Sequence, residues 1–221
     1  MKQIGSLVVF LLLVSALSAQ AQAIVKLPKP DMKTNVSFAD VVNKAKTGAA
    51  ISDDPLPIAD LSAILWAAGG RRFNNVDAMS SASRAYPSAF DRYLVHLYVM
   101  AGKVSGLPAG VYQYVPEDHS LKLLVDGDLR AKSVEGVSYA STVPSQPATV
   151  VLAVDMEKSR KSYSEHPWLQ MEVGAMAELI SFTAASRGRA VDIVSEVDPQ
   201  KEKILFKSQD SPLLLLPIGK Q

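Results

Sequence analysis

Leu61-Ser62-Ala63-Ile64-Leu65-Trp66-Ala67-Ala68 opens the most informative stretch of this chain. Arg84-Ala85-Tyr86-Pro87-Ser88-Ala89, Leu97-Tyr98-Val99-Met100 and Leu107-Pro108-Ala109-Gly110-Val111-Tyr112-Gln113-Tyr114 follow it in that order. Ile58, Leu61, Ile64, Leu65 and Ala68 fall on one face at helical spacing, so Ile58 to Ala68 is expected to be an amphipathic helix. Gly69-Gly70 ends it. Residues 70–83 are rich in Gly, Asn and Ser and read as a loop. Pro87-Ser88-Ala89 begins a further element, with a helical turn expected through Phe90 to Tyr93. His96 to Met100 and Val111 to Val115 are aromatic and β-branched, which predicts two strands with a turn through Gly106 to Gly110 between them.

Outward from this block the same logic continues. Glu117-Asp118-His119-Ser120 reads as a hairpin turn into a strand from Leu121 to Val125. Leu129 to Ala140 is expected to start helical. Ala148 to Asp155 is almost continuously apolar, the mark of a buried strand. Pro167 starts the longest helix, with Leu169, Val173, Met176, Ala177, Ile180 and Ala184 as its stripe and Gly188 as its end. Ala190 to Val194, a short helix from Asp198 to Leu205 and a strand from Leu213 to Ile218 complete the C-terminal part. Towards the N-terminus, Ser37 caps a helix with Asp40 three residues on, close to a capping box, and Gly48 is expected to end it. Asp53-Asp54-Pro55-Leu56-Pro57 is a loop. Strict β-α-β alternation is missing, so the class is α+β with a central mixed or antiparallel sheet flanked by helices.

The first residues have a different character. Lys2 precedes an apolar run from Leu7 to Leu17, and Ala19-Gln20-Ala21 and Ala21-Gln22-Ala23 both fit a small-x-small cleavage site. The expected organisation is a signal peptide over 1–23, an extended N-terminal arm over 24–36 and one domain over 37–221. The apolar run is shorter than the roughly 20 residues of a membrane span, so an exported chain with no membrane segment after cleavage is expected. With no cysteine, disulfides, thiolate metal sites and thiol nucleophiles are excluded. Lys and Arg total 23 and Asp and Glu 22, without a basic block, which gives nucleic-acid binding no electrostatic footing.

Taken in order and spacing, the Leu61–Ala68 block, the Arg-x-x-Pro-Ser-Ala segment at 84–89 and the Gly-Val-Tyr-x-Tyr segment at 110–114 resemble the SagB-type branch of the nitroreductase superfamily. The resemblance runs from about Ser37 to Lys220. It implies a dimer-forming, nitroreductase-like fold that binds FMN at the interface of a homodimer. It implies an exported oxidoreductase that reduces small electron acceptors, nitroaromatic or quinone-like, by ping-pong flavin chemistry, with the electron donor left open. The flavin carries the chemistry, so no catalytic side chain and no metal are implied.

The resemblance maps FMN onto three segments and one terminal lysine. The phosphate-gripping segment falls on Ala45-Lys46-Thr47-Gly48-Ala49, where Lys46 and Thr47 keep phosphate-binding chemistry and Ala49 replaces the last arginine. Pro87, Ser88 and Ala89 would meet the isoalloxazine edge, with Arg84 reaching the ribityl chain or phosphate. Family members usually continue this loop with Gly, whereas here Phe90 follows. Val194, Ser195 and Glu196 take the place of the loop whose backbone N–H faces flavin N5. Lys220 stands where a terminal basic residue often adds to the phosphate site. These departures leave open an alternative: a nitroreductase-fold protein with a degenerate FMN site, acting in binding or structure.

Other residues read more plainly. Trp66 is expected in the core or a dimer interface, and Tyr112 and Tyr114 in packing. His96, His119 and His166 lack metal-ligand spacing. Glu172 and Glu178 would pair across a dimer interface. Ser88 lacks the Gly-x-Ser-x-Gly context of a hydrolase nucleophile.

Overall fold

The computed structural model describes residues 23–45, 54–72, 83–137, 141–162, 167–195, 198 and 206–221. In chain order the elements are β1 (Ile24–Lys26), α1 (Phe38–Lys44), β2 (Leu56–Pro57), α2 (Ile58–Gly69), β3 (Val95–Ala101), β4 (Val104–Ser105), β5 (Gly110–Val115) and β6 (Ser120–Asp126). They continue as α3 (Arg130–Ser133), α4 (Thr142–Ser145), β7 (Ala148–Val154), α5 (Met156–Ser162), α6 (Pro167–Ala185), β8 (Arg189–Val191) and β9 (Ser211–Lys220). Seven strands form one sheet in the order β1-β6-β5-β3-β7-β9-β8, and every pairing in it is antiparallel. The short β2 and β4 pair in parallel beside it. The α+β expectation holds, and the main sheet is antiparallel rather than mixed.

Strand alternation gives the sheet two buried faces. On one, Leu97, Val99, Val150, Leu152, Leu216 and Ile218 pack with Leu61, Ile64 and Leu65 of α2 and Met176 and Ile180 of α6. Leu61, Ile64 and Leu65 have no accessible surface. Each contributes on the order of 2 kcal/mol by leaving water, which is why the quoted block sets the register of α2. On the other face Tyr98, Met100, Val111, Val151 and Leu215 meet Phe206, Val134 and Val143. Buried on both sides, β7 has no polar face, as its continuous apolar run required.

Several boundaries differ from the sequence reading. Ser37 caps α1 through its side chain, which accepts from Asp40 N–H, but α1 ends at Lys44 with Ala45 as its cap. Gly48 lies outside the described residues. The long helix stops at Ala185, and the chain turns through Gly188 at φ 66° before β8. The strand expected from Ala190 to Val194 is Arg189–Val191, with Val194 rejoining β9 by a single bridge to Leu215. Short polar elements (β4, α4 and α5) have too little apolar periodicity to be read from sequence. Residues 1–22 of the expected 1–23 segment, His166, Glu196 and nearly all of the helix expected over 198–205 lie outside the described residues.

The N-terminal arm is tied down by a directed chain of hydrogen bonds. Ser62 Oγ donates to Pro28 O at 2.6 Å, so it accepts from His119 Nε2 at 2.7 Å. Nε2 therefore carries the ring proton, and Nδ1 accepts from the Tyr114 hydroxyl at 2.8 Å. Trp66 stands edge-on to the same ring at 5.2 Å. Burial holds His119 below the ordinary histidine value, with the Pro28 carbonyl a weaker opposing influence. A depressed histidine is protonated more readily when unfolded. Its contribution to stability is complete above the unfolded value of about 6.5 and is lost as pH falls through the folded value. Glu172, described below, works in the opposite direction, so the wild type alone does not isolate His119. The urea midpoint of wild type is expected to drop further than that of His119→Gln between about pH 7 and about pH 5. Parallel curves for the two proteins would contradict this arrangement.

Candidate functional site

The Arg84–Tyr93 loop is built against the N-terminal half of α6. Ser88 Oγ donates to Glu172 Oε2 at 2.8 Å and accepts from Tyr93 N–H at the same distance. Glu172 is 1 % exposed, and its second oxygen closes no hydrogen bond. Burial raises this carboxyl above the ordinary range. The Ser88 hydroxyl, the backbone N–H groups of Val95 and Leu94 and the Arg84 charge pull it part of the way back. Arg84 Nη1 donates to Gly69 O at 2.8 Å, and its guanidinium lies 5.0 Å from the Tyr93 ring centre.

The backbone after Ala89 is unusual. Phe90, Asp91 and Tyr93 have φ of 55°, 55° and 47°. These are left-handed conformations that a side chain normally disfavours by about 1 kcal/mol or more. The position where family members usually carry Gly thus keeps the glycine-like backbone but bears Phe90, which is 75 % exposed. The expected helical turn is a short 3-10 turn, Ala89–Asp91.

The second grouping lies beyond the other end of α6. Lys220 Nζ meets Asp54 Oδ2 at 3.0 Å, and Gln221 Nε2 donates to Lys44 O at 2.6 Å. Lys44 and Asp54 flank the segment that carries Lys46 and Thr47, both outside the described residues. Lys220 is therefore brought beside the two ends of that segment. Its ion pair is about 60 % exposed on both sides, and such pairs are worth about 0–1 kcal/mol.

Within one chain these groupings are not together. Ser88 touches Glu172, whereas Gln221 N–H donates to Gly188 O just past Ala185. At 1.5 Å per helical residue, Glu172 and Ala185 are separated by about 20 Å along α6. In the Val194-Ser195-Glu196 segment the Val194 backbone is already paired. Val194 N–H and C=O are both bonded to Leu215, at 2.9 Å each, so that N–H has no further bond to offer. Ser195 is exposed, and Glu196 is outside the described residues.

Sequence reasoning missed the partner that Ser88 requires. Glu172 was expected to pair with Glu178, but it is buried within its own chain while Glu178 is exposed. The usable signal was its place among Leu169, Val173 and Met176, on the buried stripe of α6. His96 also has a partner that no spacing foretold, Asp210, with Nδ1 2.5 Å from Oδ2.

Comparison with known proteins now bears on this arrangement. The description "Nitroreductase family" matches residues 50–220, more than three quarters of the chain. The chain belongs to the nitroreductase family. "Putative nitroreductase MJ1384" of Methanocaldococcus jannaschii is 27 % identical over 198 residues, covering 87 % of this chain and 94 % of that protein. A structure titled as a putative nitroreductase from Ralstonia eutropha JMP134 is 23 % identical with a TM-score of 0.76, covering 91 % of this chain and 90 % of that one. A chain of the Escherichia coli microcin synthetase McbBCD complex is 18 % identical with a TM-score of 0.65, covering 87 % of this chain and 76 % of that one. These structural likenesses show the α+β nitroreductase-like fold. Family membership supports an oxidoreductase-type role at the level of the family, whose members typically bind FMN. Among the described residues no helix is long and apolar enough to cross a membrane.

Proposed function

We propose that this chain is an exported FMN-dependent oxidoreductase of the SagB-type branch, acting as a homodimer on small nitroaromatic or quinone-like acceptors by ping-pong chemistry. The observation that carries the reading is the Arg84–Tyr93 loop. It keeps a left-handed backbone that non-glycine residues avoid, held by a buried Ser88–Glu172 contact. Such strain persists where surrounding structure enforces it, most often at functional sites.

When bound, FMN supplies the redox chemistry, passing a hydride between donor and acceptor. The chain's residues bind and orient it. Lys220, with Lys46 and Thr47, offers charge and a hydroxyl to the phosphate. Pro87 and Ala89 present backbone and apolar surface to the ring, since the Ser88 hydroxyl is already engaged by Glu172 and Tyr93. A second copy with its α6 antiparallel would bring one chain's Lys220 region beside the other's Arg84–Tyr93 loop. Exposed Trp168 and Met171, within about one turn of Glu172, supply apolar surface for such a partner.

A second reading is a nitroreductase-fold binding or structural protein that no longer holds FMN. The engaged Ser88 hydroxyl and Val194 N–H favour it. The two separate on one measurement. The purified mature protein is titrated with FMN and its absorption followed between about 350 and about 500 nm. Saturable binding is expected, weakened about tenfold by Lys46→Ala through loss of a charged phosphate contact. A colourless protein without FMN affinity would eliminate the enzyme reading.

A further inference from the structure

The second face of the sheet is covered over only part of its width. One cross-strand row runs Val194, Leu215, Val151, Tyr98, Gln113, Lys122, Ile24. Val194 to Tyr98 are buried around Phe206, Gln113 and Lys122 are half-buried, and Ile24 is exposed. The register of β3 with β5 runs only from Tyr98↔Gln113 to Ala101↔Gly110, so Val95 to Leu97 have no partner on β5. A cavity of about 510 Å³ opens there, with His96, Gln113, Lys122, Glu117, Tyr93 and Arg84 in its walls. That volume suits a small organic ligand.

The polar groups of this cavity are arranged. His96 is two residues from Tyr98 and shares its face. The Asp210 carboxylate is buried, and its Oδ2 accepts from Tyr98 O–H at 2.8 Å as well as contacting His96 Nδ1. A carboxylate only accepts, so Nδ1 carries a proton and Nε2 is left as the ring's other polar atom. The His96 side chain is 41 % exposed, so this fixed ring reaches solvent at the cavity. Lys122 has no ion-pair partner among the described residues. The walls carry two fixed cations, Lys122 and Arg84, against one carboxylate, Glu117, which already meets Arg71 at 3.9 Å. Tyr93 and Ile24 add flat and apolar surface.

We propose that this cavity binds a small aromatic carboxylate, its anionic end held by Lys122 Nζ and by His96 oriented through Asp210. A carboxylate needs a donor at Nε2, which the ring supplies in its doubly protonated form while Asp210 holds Nδ1–H. The titratable or charged groups around that ring are Asp210, Tyr98, Lys122, Glu117, Arg84 and Tyr93. A His–Asp pair that merely braced β3 against residues 206–211 would need neither Lys122 nor a net positive wall. The assignment does not depend on FMN, although Arg84 and Tyr93 put an occupant beside the Pro87–Ala89 loop.

The test is calorimetric titration of the mature protein with 4-nitrobenzoate, and with nitrobenzene as its uncharged counterpart. Saturable binding of the carboxylate alone is expected. Lys122→Met is expected to weaken it about tenfold or more, the usual scale of a hydrogen bond to a charged group. His96→Gln, which removes the ring held by Asp210, is expected to weaken it as well. Thermal midpoints of both variants confirm that they fold. Absence of carboxylate binding, equal affinity for nitrobenzene, or indifference to both substitutions would overturn the proposal. An FMN titration of the same samples reports separately on the oxidoreductase reading.

Discussion

Ser88→Ala is expected to destabilise the protein by about 3 kcal/mol. Two groups lose this hydroxyl at once, the buried Glu172 carboxyl and the Tyr93 N–H, each bonded to it at 2.8 Å, and Glu172 keeps only the Val95 and Leu94 N–H groups and the Arg84 charge. An orphaned buried polar group costs about 1–3 kcal/mol, and more when charged. The loop has little to offset this, because Phe90, Asp91 and Tyr93 already hold left-handed backbone. The effect should depend on pH with a definite sign. Glu172 is held above its ordinary value, so its own contribution to stability is present below the unfolded carboxyl value and is lost as pH rises through the folded one. Removing the donor that favours its charged form penalises that form further, so the variant's deficit grows as pH rises. Ser88→Thr keeps the hydroxyl and should restore most of the stability. Glu172→Gln in the Ser88→Ala background should reduce the deficit by removing the unpaired charge. The same set of proteins separates two roles for Ser88 in FMN binding. A loss of affinity that disappears in the Glu172→Gln background acts through loop position, whereas one that persists reports a direct hydroxyl contact. A urea midpoint for Ser88→Ala within about 0.5 kcal/mol of wild type would refute the structural role.

The elements that the sequence made legible are those whose burial repeats with a period. The α2 face and the β7 run were readable because every position on the stripe or strand is enclosed. The long helix was read correctly in place but three residues too far at its end, because Gly188 closes a turn after the helix rather than the helix itself. The site was legible only as segments. Arg84, Pro87, Ser88 and Ala89 do form one loop, and Lys220 does lie beside the ends of the Lys46–Thr47 segment. What sets them apart is the length of α6, a tertiary relation with no local signature. Glu172 shows the same limit: helical spacing marks its position as inward-facing, but nothing across the 84 positions that separate it from Ser88 announces the contact. Of the Val194-Ser195-Glu196 loop, whose place the resemblance gives to a backbone N–H facing the flavin, Val194 N–H is used by a bridge to Leu215, a pairing with no local signature.

Gly219→Ala is expected to cost about 2–3 kcal/mol and to weaken FMN binding without touching a charged residue. A Cβ on Gly219 would stand 2.6 Å from Gln146 Cδ and closer still to Gln146 Oε1. Gln146 is fully buried and its main-chain carbonyl accepts from Arg130 Nη1, so its side chain is enclosed and anchored at its backbone, with little space into which to withdraw. The strain must then move the end of β9, where Gly219 is paired with Ala190 and Lys220 with Arg189. Lys220 is the residue that reaches Asp54 beside the segment proposed to hold the phosphate, so a displaced strand end carries its charge away from that segment. Gln146→Ala removes the obstructing atoms. It should destabilise when alone, by leaving a cavity, yet in the same chain as Gly219→Ala the two costs should fall short of their sum by about 1 kcal/mol or more. FMN affinity should recover in the double variant, because the strand end can return while Lys220 is unchanged throughout. Strict additivity of the two substitutions would mean that Gln146 does not set the path of β9. Unchanged FMN affinity in Gly219→Ala, with the expected loss of stability, would instead remove Lys220 from the phosphate site.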